Sequence, residues 1–229
     1  MPGLLRHGRE ALSAPDLETI RERTVNVYDQ HAIGWDRHRV RIFYEQAWLE
    51  RLTARLPRGA SVLDLGCGAG DPIAAWLIAQ GFAVTGVDFA EGMLRIARAR
   101  YPSARWLLQD MRVLDIDGPF DAIISWDGSF HLTTDEQRAL LPRLASLLAP
   151  GGRLLLTVGP HEGEVTGVVE GEQVYHASLA PDEYRDRLEA LGLDADITTN
   201  DQTVEDRTIL FAVKRSRRSR ARSTQQPRR

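Results

Sequence analysis

The chain has 229 residues, of which 43% are hydrophobic and 27% charged, and its formal net charge is −3 at pH 7. This length suits one domain with a complete core, and the composition is that of a globular protein. No apolar run approaches the roughly 20 residues needed to span a bilayer, and the start lacks the apolar region of a secretory signal. Since Cys67 is the one cysteine, an internal disulfide is excluded, and we expect a cytoplasmic protein that does not associate with membranes.

The N-terminal part of the chain predicts a helical lobe. Pro15 and Asp16 start a run of apolar residues at helical spacing, and an aromatic-rich stretch follows it. Two interpretations stay open at this point. The helices either pack on a sheet or form a lid over a ligand, and as a lid they would present Tyr28, Trp35 and Arg39 to a bound substrate.

The segment 61–72 predicts a strand, a glycine turn and the start of a helix. A short apolar run precedes three alternating glycines, which permit a tight turn and let a ligand approach the backbone closely. Asp71 is expected to cap the following helix, with Pro72 at its first position. This arrangement is typical of a nucleotide site. The three glycines are Gly66, Gly68 and Gly70.

Acidic residues on both sides of the turn narrow the choice of ligand. A dinucleotide site has the spacing G-x-G-x-x-G, but Asp71 stands where the third glycine would be, and Asp64 precedes the turn. Two carboxylates would repel a pyrophosphate. They would favour a ligand that carries an ammonium and a sulfonium group, and S-adenosylmethionine is such a ligand.

Two further acids follow predicted strands, where ligands of an open α/β sheet bind. Asp88 ends the second strand, 18 residues after Gly70, and its carboxylate suits the two hydroxyls of a ribose. Its alternative role is to cap the helix 91–100. Asp110 follows the third strand and suits an adenine amino group, with Met111 against the ring; its alternative is a simple loop acid.

The residues after the fourth predicted strand, 120–125, lie where a reacting group would meet the cofactor. Asp127 could steer a cationic acceptor, whereas Arg39 could hold an acidic one, and the sequence does not choose between them. A hydroxyl acceptor would benefit from a general base, for which the favoured candidate is His131 because it closely follows this strand. The other candidates are His161 and His176.

The segment 159–178 is rich in glycine and polar residues and is much longer than the usual connection of about 2–6 residues. We therefore expect a long loop that acts as a lid or a binding loop. Beyond it, the patterns predict a helix over 181–191 and a closing pair of strands over 193–199 and 208–213. Together with the lobe, this loop would confine the acceptor to metabolite size.

The C-terminal residues 214–229 contain eight of the 29 basic residues and none of the 32 acidic ones. Their polar, low-complexity composition predicts a disordered tail. The tail either has no specific role or touches an acidic partner weakly. The remaining body is net acidic and has no basic patch interleaved with aromatic residues, which argues against a nucleic-acid substrate.

The ordered series of motifs resembles the Rossmann-like (class I) S-adenosylmethionine-dependent methyltransferases, in particular their short members that act on small molecules. The resemblance covers roughly residues 25–213. It implies an α/β fold with a seven-stranded, mostly parallel sheet, helices on both faces and a final antiparallel strand. The residues that carry it are Val62-Leu63-Asp64-Leu65-Gly66-Cys67-Gly68-Ala69-Gly70, Val84-Thr85-Gly86-Val87-Asp88, Gln109-Asp110-Met111, Phe120-Asp121-Ala122-Ile123-Ile124 and Leu148-Ala149-Pro150-Gly151-Gly152-Arg153-Leu154.

We expect three parts: the helical lobe over 1–56, a domain over 57–213 that the resemblance identifies as a cofactor-binding methyltransferase domain, and the basic tail over 214–229. The expected reaction moves a methyl group from S-adenosyl-L-methionine to an oxygen or nitrogen atom of a small molecule, leaving S-adenosyl-L-homocysteine. Two alternatives remain, a non-catalytic or regulatory S-adenosylmethionine binder and an NAD-dependent oxidoreductase. We expect a monomer or homodimer and no metal.

The predicted site residues fall into three groups. The cofactor residues are Asp64, Gly66, Cys67, Gly68, Gly70, Asp88, Phe89, Met93, Asp110, Met111 and Trp126. The catalytic residues are Asp127, His131 and Tyr175. The substrate residues are Tyr28, Trp35, Arg39, Phe130, His161 and His176.

Overall fold

The computed structural model describes residues 16–38 and 43–216, which form a seven-stranded sheet, a separate two-stranded hairpin and seven α-helices. The helices are α1 (Leu17–Gln30), α2 (Ala32–His38), α3 (Gln46–Thr53), α4 (Ile73–Ala79), α5 (Glu91–Arg100), α6 (Thr134–Leu147) and α7 (Pro181–Ala190). The strands are β1 (Ser61–Leu65), β2 (Ala83–Asp88), β3 (Arg105–Leu108), β4 (Phe120–Ser125), β5 (Leu148–Val158), β6 (Gly163–Val169), β7 (Glu172–Ser178), β8 (Leu193–Asp201) and β9 (Arg207–Lys214).

The order of strands in the large sheet is β3-β2-β1-β4-β5-β9-β8. The first five strands pair in parallel, while β9 runs antiparallel to both of its neighbours. The predicted fold class is therefore confirmed. Because β1 and β4 are central and adjacent, their carboxyl ends open a crevice between the connections that leave the sheet there.

Both faces of the central strands of the sheet are buried. Successive residues of the central strands point to opposite faces, so Leu63 and Leu154 join one apolar cluster and Val62 and Leu155 join the other. The first cluster contains residues of α6 and α7, and the second contains residues of α3, α4 and α5. Because β1 and β4 are buried on both faces, most of their residues are apolar and do not alternate with polar ones.

The start of α4 differs from the prediction. Asp71 does not cap this helix, because Pro72 occupies the flanking position and no side chain caps its first turn. The Asp71 carboxylate instead lies 3.5 Å from the Arg100 guanidinium. An ion pair between segments has thus replaced the predicted local contact.

The segment 159–178 is not a loop, and this prediction is wrong. Strands β6 and β7 form an antiparallel hairpin whose turn residues, Glu170 and Gly171, both have positive φ angles. Such a two-residue turn matches the twist of the paired strands. The valines and tyrosine of this segment were a strand signal, which its glycines and polar residues obscured.

Strand β9 extends to Lys214, the first residue of the predicted tail. The Lys214 ammonium donates to the carbonyl oxygens of Ala145 and Leu148, at 2.7 Å each. The predicted disordered segment beyond 216 lies outside the described residues. Within the described residues, no helix combines the length and apolar character needed to cross a bilayer.

Candidate active site

A cavity of about 520 Å³ opens at the carboxyl ends of β1, β2 and β4. The glycine turn and the β2 end form one side of it, while α1, α2 and the β6–β7 hairpin contribute the other. The structure thus brings together two segments that are more than 130 residues apart in the chain. From the predicted set, the lining contains Tyr28, Trp35, Asp64, Gly66, Cys67, Gly68, Asp88, Phe89, Met93, Met111, Trp126, Asp127, Phe130, His131 and His176.

The glycine turn lets the backbone lie at the cavity wall without side chains. Gly66 and Gly68 have φ angles of +78° and +53°, where residues with a Cβ are disfavoured. A Cβ on Gly66 would approach Gly128 Cα to 3.2 Å, so these two backbone segments need the glycine. Gly70 belongs to the same turn but faces the rings of Trp106 and Tyr101 and does not line the cavity.

Asp88 connects the glycine turn to the end of β2. Its Oδ2 accepts a hydrogen bond from the Gly68 N–H and its Oδ1 accepts one from the Ala90 N–H, both at 2.8 Å. It does not act as the side-chain cap of α5, whose flanking residue is Ala90. Burial raises the pKa of Asp88, and the backbone donors oppose this rise. Each carboxylate oxygen keeps a further lone pair for a ligand in the cavity.

A second cavity of about 330 Å³ adjoins the first and shares Phe89, Met111, Gly128 and His131 with it. Asp110 lines this second cavity, and the Arg112 side chain binds both of its carboxylate oxygens. Burial acts against ionisation of Asp110, but the bonds from Arg112 outweigh it and lower the pKa. A ligand group that meets Asp110 must therefore share it with Arg112.

Asp127 forms an ion pair that the sequence analysis missed. Arg207 at the start of β9 contacts both Asp127 carboxylate oxygens, with Nε–Oδ1 and Nη2–Oδ2 distances of 3.0 and 2.8 Å. Asp127 has a φ of +51°, and its N–H donates to Thr157 Oγ1 at 2.7 Å. Arg207 also binds Glu205, and both residues line the cavity with Tyr44. No local pattern around residue 207 pointed to this role.

Both nitrogens of His131 have partners. The Tyr175 carbonyl oxygen lies 2.8 Å from Nδ1, so Nδ1 must carry the hydrogen and donate it. The Nε2 atom then accepts from the Tyr28 hydroxyl at 3.1 Å. Burial lowers the pKa of His131 to about 4, so the ring is neutral at pH 7. The favoured general base is therefore already occupied by Tyr28.

His176 lines the cavity beside His131, with 4.9 Å between their ring centroids. Phe130 packs edge-on against its ring at 4.6 Å. Burial lowers the pKa of His176, and the charge of Asp127 opposes this shift. Its ring makes no hydrogen bond to another residue of the described segments. A Cβ on Gly167 would lie 2.5 Å from His176 Cε1, so the ring rests directly on the backbone of β6.

Besides Gly70 and Asp110, three further predicted residues are not placed in this cavity. The Tyr175 side chain packs with Ile20 and Ala177 outside it, and its hydroxyl donates to Glu164. Tyr175 thus reaches the site only through the carbonyl oxygen that holds His131. His161 is exposed on the connection before β6. Arg39 lies outside the described residues.

Comparisons with known proteins relate part of this chain to a family. Residues 62–152 match the model of a family described as a methyltransferase domain. This segment is therefore similar to a methyltransferase domain. It contains β1, β2, β3 and β4 and thus the glycine turn, Asp88 and Asp127. The same segment carries the two motif acids Asp64 and Asp110.

Two curated relatives are similar to about half of this chain. Trans-aconitate 2-methyltransferase of Variovorax paradoxus is 36% identical over 122 residues, which are 51% of this chain and 46% of that protein. The dTDP-4-amino-2,3,4,6-tetradeoxy-D-glucose N,N-dimethyltransferase of Saccharopolyspora spinosa is 31% identical over 137 residues, covering 55% of this chain and 54% of the relative. The chain spans about half the length of the curated relatives it matches.

The fold extends beyond the matched segment. An amino pentose methyltransferase of Micromonospora echinaspora, solved with S-adenosylmethionine bound, superposes with a TM-score of 0.62 at 23% identity. The superposition covers 81% of this chain and 96% of that chain. The chain therefore has the Rossmann-like fold of S-adenosylmethionine-dependent methyltransferases.

Proposed function

We propose that this chain binds S-adenosyl-L-methionine against the glycine turn and transfers its methyl group to an oxygen or nitrogen atom of a small molecule. The observation that carries the proposal is the cavity itself, where buried acids flank a glycine turn and two segments cover it. Asp64 is 2% and Asp88 8% exposed. Buried carboxylates favour a cationic ligand and oppose a pyrophosphate, which disfavours an NAD-dependent oxidoreductase.

The residues of the cavity fit this cofactor. Gly66 and Gly68 leave the turn without side chains, so a ligand can approach the backbone there. The indole Nε1–H of Trp126 is buried and has no hydrogen-bond partner among the described residues, so a ligand atom that accepts a hydrogen bond would satisfy it. The methionine part would lie near Asp64, Cys67 and the turn.

The remaining cofactor contacts follow from the two adjoining cavities. Asp88 would take the ribose hydroxyls through its free lone pairs. The second cavity would take the adenine, with Phe89 and Met111 against the ring and Asp110 near its amino group. Met93 packs in the cluster below Phe89 and supports that wall.

The cover over the cavity consists of α1, α2 and the hairpin, and it would exclude water from the acceptor. Thr24 Oγ1 of α1 accepts from the Tyr175 N–H of β7 at 3.0 Å, so the two segments are joined by a buried hydrogen bond. Trp35, Tyr28 and Phe130 give the enclosed space aromatic walls. Such enclosure suits a metabolite and not a polymer.

When bound, S-adenosylmethionine supplies an electrophilic methyl group on a sulfonium ion. The chain has to position the acceptor in line with this group and take up a proton from it. His131 holds Tyr28 in place through Nε2 and is itself held by the Tyr175 carbonyl. His176 is the imidazole in the described cavity lining that has no hydrogen bond, so it is the better candidate to accept the proton.

Two measurements test the proposal. Calorimetry with S-adenosylmethionine, S-adenosylhomocysteine and NAD should show binding of the first two only. A methyl-release assay against a library of metabolites should then show turnover. Binding without turnover would favour the non-catalytic alternative, and binding of NAD alone would overturn the assignment.

A further inference from the structure

We propose that the acceptor is a small amine that enters the cavity as its ammonium cation, and that Asp127 selects it. This inference rests on the proposed function of the same cavity and specifies its substrate class. It concerns the part of the cavity lined by Asp127, Glu205, Arg207, Phe130 and His176, which we call the acceptor end. Four observations carry it.

The first observation is the charge of the lining. Six acidic residues line the cavity, whereas Arg207 is the one lining arginine or lysine within the described segments. At the acceptor end, two carboxylates face this single guanidinium, which leaves one negative charge in excess. The acids of the whole lining are Glu45, Asp64, Asp71, Asp88, Asp127 and Glu205.

The second observation is that Arg207 is nearly saturated. A guanidinium has five N–H donors. The Nε and one Nη2 donor go to Asp127, and Nη1 donates to Glu205 Oε2 at 2.9 Å and to the Val204 carbonyl at 3.1 Å. Four of the five donors are therefore used within the protein. An acidic acceptor would have to displace these bonds, so Arg207 is poorly suited to bind one.

The third observation is that the two histidines add no positive charge at neutral pH. Burial keeps the pKa of His131 near 4 and lowers that of His176. The charge of Asp127 reaches both rings and also Tyr28, where it contributes to a raised pKa. Asp127 therefore lies close enough to these three side chains to act on them electrostatically.

The fourth observation is the aromatic wall. Tyr28, Trp35, Tyr44 and Phe130 all line the cavity. Aromatic faces attract cations, by about 0.5–1 kcal/mol at exposed sites and more where water is excluded. Such a wall therefore adds to the preference that Asp127 creates and imposes no penalty on an apolar substituent of the amine.

The proton balance of the step is simple. The ammonium first gives one proton to the His176 imidazole, from which it passes to water, because His176 is only partly buried. The neutral nitrogen then forms a bond to the methyl carbon while the carbon–sulfur bond breaks, and both electrons of that bond stay on sulfur. The product is the N-methyl ammonium ion, so Asp127 meets a cation before and after the reaction.

The test compares three probes that share a phenyl ring but differ in charge: 2-phenylethylamine, 2-phenylethanol and phenylacetate. Calorimetry is done on the full chain saturated with S-adenosylhomocysteine. We expect measurable binding of the amine only. Asp127→Asn should weaken amine binding at least tenfold, and Glu205→Gln should weaken it several-fold. Asp117→Asn removes the same charge from an exposed residue outside the cavity and should have no effect.

Asparagine tolerates the left-handed backbone of residue 127, so Asp127→Asn keeps the local conformation. Glu205→Gln changes a half-exposed side chain. It therefore provides a second test of the charge at the acceptor end if Asp127→Asn does not fold. Binding of phenylacetate as tight as that of the amine would overturn the proposal. Absence of binding by all three probes, or an unchanged amine preference in folded variants, would do the same. Failure of the proposed function is a separate outcome, because the unmodified chain would then not bind S-adenosylhomocysteine in the same calorimetry.

Discussion

The Asp88 carboxylate accepts a hydrogen bond from the Gly68 N–H, and this bond joins the end of β2 to the glycine turn at the end of β1. The two residues come from neighbouring parallel strands, whose carboxyl ends lie side by side. The same side chain therefore shapes the turn and faces the cavity. A change at Asp88 must affect both the fold of the turn and any ligand bound against it.

We predict that Asp88→Ala weakens S-adenosylmethionine binding by about 2–3 kcal/mol, because a charge-assisted contact to the ribose is lost. The variant should also unfold more readily, because the Gly68 and Ala90 N–H groups lose their acceptor. Calorimetry and thermal melting measure the two effects. Asp117→Ala, at an exposed position away from the cavity, serves as the control. Unchanged cofactor affinity in Asp88→Ala would remove Asp88 from the site.

Local patterns predicted the part of the site that lies on consecutive elements. The glycine turn and Asp88 follow strands whose apolar runs are unmistakable, and ligands bind at those strand ends. The Asp127–Arg207 pair could not be predicted from local patterns, because 80 residues separate the two partners. Asp127 has a positive φ, but unlike a glycine it does not reveal this conformation in the sequence. Tyr175 was misplaced for another reason. The segment 159–178 was predicted as a loop, in which Tyr175 and His176 could both reach the site. In β7 neighbouring side chains point to opposite faces, so His176 lines the cavity and the Tyr175 side chain does not.

The C-terminal boundary gives a prediction that compares two truncations. Ending the chain after Val213 removes Lys214, whose ammonium binds two carbonyl oxygens at the end of α6 and the start of β5. It also removes Arg215, which contacts Asp194 at 2.8 Å. We expect this truncation to lower the free energy of unfolding by about 1–3 kcal/mol.

Ending the chain after Ser216 keeps these contacts. Because the residues beyond it contain hardly any apolar side chains to bury, we expect this truncation to leave stability and cofactor affinity nearly unchanged. Urea denaturation of the two shortened chains and the full chain provides the comparison. A large loss on removing 217–229 would mean that the basic segment docks on the body.

His131 predicts a dependence of stability on pH. Its pKa is about 4 in the folded protein, against an ordinary value of 6.5. Between these pH values the unfolded chain binds a proton that the folded chain does not, so the free energy of unfolding falls as the pH is lowered from 6.5 to 4. The full contribution of this one group is on the order of 3 kcal/mol.

Urea denaturation at pH 7, 6 and 5 checks this contribution. His131→Asn keeps a donor for the Tyr175 carbonyl but does not titrate, so it should lose less stability on acidification than the unmodified protein. His161→Asn, at an exposed histidine, should follow the unmodified protein. If the free energy of unfolding fell equally with pH in all three proteins, His131 would have the same pKa in the folded protein as in the unfolded chain.

The last prediction uses the contact between Gly167 and His176. Gly167 does not have a positive φ, so alanine fits its backbone, but the added methyl group would lie 2.5 Å from the His176 ring. The ring must move, which is cheap for the fold because it is the end of a side chain. We therefore expect Gly167→Ala to melt near the temperature of the unmodified protein and to bind S-adenosylmethionine equally well. Its kcat should fall about tenfold or more, because a positioned base contributes about 10²–10⁴.

Val165→Ala is the matched control, since it changes an exposed residue of the same strand. His176→Asn should lower kcat at least as much as Gly167→Ala, and the double variant should be no slower than His176→Asn alone, because both substitutions act on the same ring. Steady-state rates from the methyl-release assay, with a saturating acceptor, decide the matter. A Gly167→Ala enzyme with unchanged kcat would exclude His176 from proton transfer.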